Sequence, residues 1–226
     1  MTAPFYVPPE QLVKDRADFA RKGIGRGRPI VVLQIAEGIL LVGENGSSSL
    51  RKIGEIYDRI AFAGVGRFNE FETLRVAGVR YADLKGYSYA RTDVTGKGLA
   101  NAYSQTLGQI FSHEVKPYEV DIVVAEVGRT IAEDKLFRVQ FDGTLRDADH
   151  VAVLGAQEDE IAERLEAQYD PEVGLQDALR AACDAIESAT EYTVDVNAWE
   201  AAVLERNAGR RAFRRLDESE VVAARS

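Results

Sequence analysis

The sequence predicts an α+β fold, a four-layer α-β-β-α sandwich in which two antiparallel sheets pack face to face and helices cover both outer surfaces. The first observation behind this prediction is size, because 226 residues, 46% of them apolar, can bury one large core without disulfides or metals. The second is order, since blocks of short strands alternate with pairs of helices along the chain. The third is that consecutive strands are joined by short turns, which is typical of antiparallel pairing.

The chain begins with a proline-rich arm that leads into a helix. Three prolines lie within residues 1–9, where they remove hydrogen-bond donors and favour an extended backbone. This stretch is predicted to be a mobile arm. A helix is predicted over residues 10–22, with Gly23 as its C-terminal stop. The glycine-rich stretch 23–27 after it is predicted to be a flexible connector, because a phosphate-binding glycine loop would follow a strand and open a helix.

Four strands and two helices follow the connector. The strands are short apolar runs separated by turn-forming residues, and they are predicted over residues 29–36, 38–44, 50–56 and 59–65. The apolar period then changes from two to between three and four. One helix is predicted from Phe68, and a second from Thr95, which caps it, to a stop before Pro117.

The second half of the chain repeats this alternation. Strands are predicted over residues 119–127, 136–141, 144–146 and 151–154, and Asp142-Gly143 is a hairpin signal between the second and third of these. Two helices and a last hairpin over residues 197–205 and 211–216 come next. Residues 10–216 are therefore predicted to form a single domain, and residues 217–226 a flexible C-terminal tail.

The charge balance excludes one class of partner. Lys plus Arg total 28 against 37 for Asp plus Glu, and 28 − 37 = −9, so the chain repels nucleic-acid phosphates. Apolar runs fall far short of the roughly 20 residues that a membrane helix needs, and no basic leader precedes an apolar stretch. No nucleic acid and no membrane partner is expected, and the expected location is the cytoplasm.

Few residues offer metal or nucleophile chemistry. His113, His150 and Cys183 stand alone at unrelated positions, so neither a metal nor another cofactor is predicted. Cys183 lies in an alanine-rich helix, where a buried, inert thiol is the expected state. A local basic patch has two open interpretations, an acidic surface of a neighbour or plain solvation, and it consists of Arg21, Lys22, Arg26 and Arg28.

Long stretches of the chain resemble one protein family. The stretches are KIGEIYDRIAFAGVGRFNEFETLR from Lys52, DVTGKGLANAYSQTLGQIF from Asp93, KPYEVDIVVAEV from Lys116 and RRAFRRL from Arg210. They are similar to the alpha-type subunits of the actinobacterial proteasome core particle (20S), and the similarity covers nearly the whole chain. It implies the four-layer sandwich fold of the N-terminal-nucleophile hydrolases, with an extra N-terminal helix, in agreement with the order of elements predicted from the residues.

The resemblance also implies a chain with no catalytic residue of its own. In a catalytic beta-type relative, processing exposes a threonine at the start of the first strand, where its free amine acts as base for its hydroxyl. Here an intact helix precedes that strand, which starts at Arg28-Pro29-Ile30. Thr2 is separated from the strand by the rest of the arm and by this helix. Threonine-type endopeptidase activity would then reside in the beta subunits of the complex.

Alpha-type subunits of this family form heptameric outer rings that cap the catalytic beta rings, gate the pore and dock a hexameric proteasomal ATPase or another activator. The resemblance implies that unfolded proteins, tagged with the prokaryotic ubiquitin-like modifier (Pup), pass through this pore. It places the activator-binding pocket at Lys52 and Gly66, with Lys52 pairing with the carboxylate of the activator's C-terminal tail. It implies a ring-contact helix that presents Leu12, Arg16 and Phe19. The gate segment would be Met1, Thr2, Ala3, Pro4, Phe5, Tyr6, Val7, Pro8 and Pro9.

Two other functions stay open at this point. One is a self-processing N-terminal-nucleophile amidase or peptidase, against which the intact leading helix argues. The other is an α/β domain that binds a small anion through Lys52 and the basic patch, which a monomer binding a metabolite without a beta partner would support.

Overall fold

Two five-stranded antiparallel sheets pack face to face, and helices cover both outer surfaces, as the sequence predicts. The computed structural model describes residues 8–47 and 49–225. The helices are α1 (Pro9–Ile24), α2 (Phe68–Ser88), α3 (Gly96–His113), α4 (Glu158–Ala167), α5 (Leu175–Thr190) and α6 (Glu218–Arg225). The strands are β1 (Ile30–Ile35), β2 (Gly38–Glu44), β3 (Ile53–Tyr57), β4 (Ile60–Gly66), β5 (Val120–Glu126), β6 (Lys135–Val139), β7 (Leu145–Ala148), β8 (Val151–Leu154), β9 (Trp199–Glu205) and β10 (Phe213–Arg215).

The two sheets have different strand orders. One runs β10-β9-β2-β1-β8 and the other β3-β4-β5-β6-β7, with antiparallel neighbours in both. Across the sandwich, β3 contacts β9, and β8 contacts β5 and β6. The strands β3 and β10 therefore lie along one side of the sandwich, and β7 and β8 lie along the opposite side.

Alternation along the strands builds the layers. In β1, Val31 and Leu33 face the cluster formed with α4, α5 and α6, whereas Ile30 and Val32 face the other sheet. A third cluster joins the second sheet to α2 and α3 through Phe62, among others. Both faces of each central strand are thus buried, which explains why these strands are apolar runs rather than alternating patterns.

The predicted element boundaries mostly hold, with one instructive shift. The third strand begins at Ile53, not at residue 50. Side chains also hold the chain at this point, since Glu200 accepts the backbone N–H groups of Lys52 and Ile53 and Asn45 donates to the Leu50 carbonyl. A buried carboxylate thus satisfies the two backbone N–H groups at the start of β3.

The glycine-rich connector is packed, which corrects the prediction of a flexible segment. Gly23 lies inside α1, where a Cβ would overlap the Glu119 carboxylate, so this glycine permits a close approach and does not end the helix. The Gly27 carbonyl accepts the N–H of Ala156 at 2.9 Å, and a Cβ on Gly27 would overlap Val65.

The C-terminal segment is helical, which corrects the prediction of a flexible tail. Helix α6 packs on α5 and buries Val221 and Ala224. Asp217 caps it, because its carboxylate accepts the N–H of Glu220 at 3.0 Å while the Glu220 carboxylate accepts the N–H of Asp217 at 2.9 Å. Among the described residues, no helix is both long and apolar enough to cross a membrane.

Candidate functional site

Lys52 and Gly66 lie together at one end of the sandwich. Lys52 immediately precedes β3, and its carbonyl accepts the N–H of Gly64 in the neighbouring strand at 3.0 Å. Gly66 ends β4 with φ of 116°, and a Cβ there would overlap the Glu119 carbonyl. Glycine is required here for two reasons. Other residues rarely adopt this φ, and there is no room for a Cβ beside the Glu119 carbonyl. The connector before β1 closes the site, with the Arg28 carbonyl accepting from Lys52 Nζ at 3.1 Å.

The Lys52 ammonium is half-buried and lacks a counterion. Among the described residues no carboxylate lies within 4 Å of Nζ, although Glu200 and Glu44 act on it from farther away. Burial, followed by repulsion from Arg28, lowers the pKa of Lys52 to about 8. An incoming anion would supply the missing opposite charge. The site is therefore suited to a carboxylate.

Two buried glutamates, which the sequence analysis does not single out, hold the walls of this site. Glu44 pairs with the Arg28 guanidinium and accepts the Tyr192 hydroxyl. Glu200 pairs with Arg215 at 2.9 Å and anchors the backbone around Lys52. The available signal was a glutamate in each of two mostly apolar strands, Glu44 at the end of β2 and Glu200 near the start of β9, since a buried charge needs a partner.

The α1 residues that the sequence analysis predicts to contact a neighbouring subunit divide into two groups. Leu12 and Phe19 are about half exposed, 51% and 47%, which leaves apolar surface for a neighbour. Arg16 instead turns toward its own chain, where it donates to the Ile110 and Glu114 carbonyls at the end of α3 and lies over the Phe111 ring. The structure thus assigns Arg16 a role in fastening α1 to the body.

Most of the predicted gate lies outside the described residues. These are residues 1–7. The two that are described, Pro8 and Pro9, stand at the start of α1, and Pro9 is its first residue. A proline there costs nothing, because the first N–H groups of a helix have no partner within it.

The start of β1, where a catalytic relative would carry its nucleophile, is occupied by continuous chain. Ile30 follows α1 and the connector, so its nitrogen is a peptide nitrogen and not a free amine, and Ile30 lies opposite Gly43 and Leu154 in the sheet. Cys183 is buried, and this burial raises the pKa of its thiol to about 12, which removes thiolate at neutral pH. Over residues 8–47 and 49–225, no three His, Cys, Asp or Glu side chains are arranged to hold a metal ion.

Comparison with known proteins agrees with this geometry. A family model described as proteasome subunit matches residues 24–204. Proteins called proteasome subunit alpha are similar over almost the full length. The one from Pseudarthrobacter chlorophenolicus is 53% identical, covering 99% of each chain. Those from Thermomonospora curvata and Acidothermus cellulolyticus are 54% and 55% identical, covering 96% and 95% of this chain and 94% of each relative. With its sandwich fold, its leading helix and these relatives, the chain belongs to the proteasome subunit family, as a member of the actinobacterial alpha type.

Proposed function

We propose that this chain forms the non-catalytic outer rings of a proteasome core particle. In this proposal seven copies make a ring that templates and caps the rings of catalytic beta subunits. The arm formed by residues 1–9 controls passage through the ring, and unfolded proteins tagged with Pup are its substrates. A hexameric proteasomal ATPase or another activator docks on the ring in the cytoplasm.

The observation that carries the non-catalytic role is the covalent continuity of α1 with β1. A nucleophile of this family acts through a free amine at the start of the first strand, and here 16 helical residues and a packed connector precede that strand. Self-processing would have to remove α1, whose Ala20 and Ile24 are buried in a cluster with Phe141. This packing supports retention of the helix and speaks against the amidase alternative.

The Lys52 site supports activator docking through a C-terminal carboxylate. A half-buried ammonium without a counterion gains more from an anion than an exposed one, roughly 4 kcal/mol of Coulomb energy at 4 Å before desolvation, against about 1 kcal/mol in water. At Gly66 the Glu119 carbonyl takes the place of a Cβ, so the chain's own backbone packs closely at this end of the site. A chain terminus fits this combination, because it brings a carboxylate at the end of a flexible backbone.

The test combines assembly with activity. The chain alone, and the chain together with the beta subunit of the same organism, are examined by native mass spectrometry, and each sample is offered a fluorogenic peptide. The expected result is a four-ring particle that cleaves the peptide only when the beta subunit is present. Cleavage by the chain alone, accompanied by loss of the residues before β1 in the intact mass, would establish the amidase instead.

A further inference from the structure

Unlike charges collect on the two opposite sides of the sandwich. Along the side formed by β3 and β10 the exposed charges are mainly arginines, whereas along the side formed by β7, β8 and the start of α4 they are mainly carboxylates. The chain as a whole carries a net charge of −9, so the arginine-rich side departs from the average of the molecule. Each side also ends in strands with one unpaired edge.

The arginine-rich side contains a groove of about 420 Å³. Its cations are Arg51, Arg75, Arg211 and Arg215, and its carboxylates are Glu55 and Glu72. Arg75 and Arg211 pair with these two glutamates, and Arg215 pairs with Glu200 at the back. Arg51 is exposed, and no carboxylate of the described chain lies within 4 Å of it. The groove therefore holds positive charge that the chain itself does not neutralise.

The carboxylate-rich side offers the opposite charge. Asp147 lies on β7, Asp149 in the turn before β8, and Asp159 in the first turn of α4. All three are exposed, and none has an ion pair within the described part of the chain. Arg138 lies nearby but is already held between Asp121 and Glu158. Two exposed cations lie among these carboxylates, Arg146 on β7 and Lys135 on β6. This side is the more negative of the two.

We infer that the arginine groove beside β3 and β10 is the surface that receives the carboxylate-rich β7–α4 side of a second copy of this chain. The inference rests on the proposed ring-forming function and names the two surfaces that would form the contact between neighbouring copies. A contact between two different surfaces of one molecule is heterologous, and such contacts close into rings when the rotation between neighbours allows it. Because the two surfaces lie on opposite sides of the chain, each copy presents its groove to one neighbour and its carboxylate-rich side to the other.

This arrangement also joins the ring contact to the Lys52 site. Arg51 and Lys52 are adjacent in sequence, and both immediately precede β3. Lys52 reaches the connector before β1, whereas Arg51 lines the groove. A neighbouring copy seated in the groove therefore lies next to the carboxylate site. The charges act mainly on encounter and on the choice of the correct partner surface.

The experiment reverses charge on one side at a time. One variant carries Arg51→Glu and Arg211→Glu, a second carries Asp147→Arg and Asp159→Arg, and a third carries all four changes. Each is mixed with beta subunits, and native mass spectrometry measures the yield of the four-ring particle. Thermal unfolding of the free chains checks that each variant is folded, which the exposure of these side chains favours. A fourth variant, Lys97→Glu, reverses an exposed charge at the start of α3 as the control.

The inference predicts at least about a tenfold loss of particle in either two-residue variant, recovery in the four-residue variant, and no loss in the control. It also predicts that salt reduces the wild-type yield, since the Debye length falls to about 3 Å at 1 M. Folded two-residue variants that assemble as well as the wild type overturn it, as does a folded four-residue variant that stays unassembled. If a reversal prevents folding, Arg51→Gln takes its place, and an unchanged salt dependence in that variant overturns the inference. Failure of the wild-type chain to assemble with beta subunits would instead refute the proposed function.

Discussion

The surroundings of Lys52 make its ammonium lose its proton at a lower pH than an ordinary lysine does. Burial and the nearby Arg28 cation lower the pKa of its ammonium to about 8 from the ordinary 10.5. The folded pKa therefore lies below the unfolded one. Protonated Lys52 costs folding free energy below pH 8, and that cost disappears as the pH rises from 8 to 10.5. Stability rises with pH in the same window in which the charge needed for binding a carboxylate is lost.

We predict that binding of a carboxylate-terminated peptide at this site weakens above pH 8. A peptide that copies the C-terminus of the proteasomal ATPase should bind the assembled particle about tenfold more weakly at pH 9.5 than at pH 7, because the ammonium has lost its proton. Fluorescence anisotropy measures the affinity. Unfolding does not explain such a loss, since loss of the Lys52 proton raises the stability of the chain over that range.

Two controls make this prediction specific. The same peptide with an amidated C-terminus should bind weakly at both pH values. In the variant Lys52→Arg the side chain keeps its charge across the range, so the affinity should no longer depend on pH. Equal affinity of the wild-type particle at pH 7 and 9.5 would remove Lys52 from the contact with the carboxylate.

A second residue-scale prediction concerns the buried ion pair of Asp134 and Arg206. The Asp134 carboxylate accepts from Arg206 at 2.6 and 2.9 Å, from Gln34 at 3.1 Å and from the Gly128 N–H at 2.8 Å. Asp134→Asn leaves the Arg206 charge buried and uncompensated. This should lower the free energy of unfolding by about 3–5 kcal/mol. Urea denaturation of the free chain measures the change.

An exposed ion pair supplies the control for that measurement. Glu160 and Arg164, one turn apart on α4, are both about half exposed. Glu160→Gln should change the free energy of unfolding by less than about 1 kcal/mol, because solvent already screens the pair. A similar cost for the two substitutions would mean that burial does not determine the strength of the Asp134 pair.

At the scale of elements, α6 is expected to contribute to the stability of the whole domain. Val221 and Ala224 face α5, and Arg225 pairs with Glu187 of α5 at 2.7 Å. Val221→Asp places a charge in this apolar contact and should lower the free energy of unfolding by about 2–4 kcal/mol. Ala223→Asp, on the exposed side of the same helix, is the control and should cost less than about 1 kcal/mol. Equal denaturation midpoints would show that α6 is not anchored.

The sequence predicts the elements better than their contacts. Short apolar runs between turn-forming residues identify the ten strands of the described chain, and an apolar period of about 3.6 identifies five of its six helices, because burial enforces both patterns. It misses α6, although Asp217 followed by Glu220 is a capping box and Val221 and Ala224 are spaced for one helix face. A helix of eight residues contains too few turns for a clear period.

The candidate site is only partly readable from the sequence. The resemblance places a pocket at Lys52 and Gly66, and the structure brings these two residues together. Local sequence does not show that Glu44 and Glu200 hold the walls, because each meets its partner from a distant strand or loop. Nor does it show that Arg16 faces its own α3, since Arg16 shares a helix face with residues that stay exposed.

At the scale of the whole molecule, different segments of the chain lie at the two ends of α1. The connector, the start of β3 and the end of β4 meet at one end, together with the C-terminus of α1. The arm leaves from the other end of α1, about 24 Å away for 16 residues at 1.5 Å each. The point at which residues 1–7 join the described chain is therefore separate from the Lys52 site, and the two can be altered independently.

This separation allows a direct test of the gate. Deletion of residues 2–7, which keeps Pro8 and Pro9 so that α1 still begins at Pro9, should leave assembly with beta subunits intact and raise basal cleavage of a short fluorogenic peptide several-fold. The physical reason is that the arms no longer obstruct the pore, whereas the catalytic sites are unchanged. A particle with the same deletion and an inactive beta subunit controls for hydrolysis outside the chamber. If the truncated and full-length particles cleave the peptide at the same rate, residues 1–7 do not form the barrier, and the pore must be closed by residues of the ring itself.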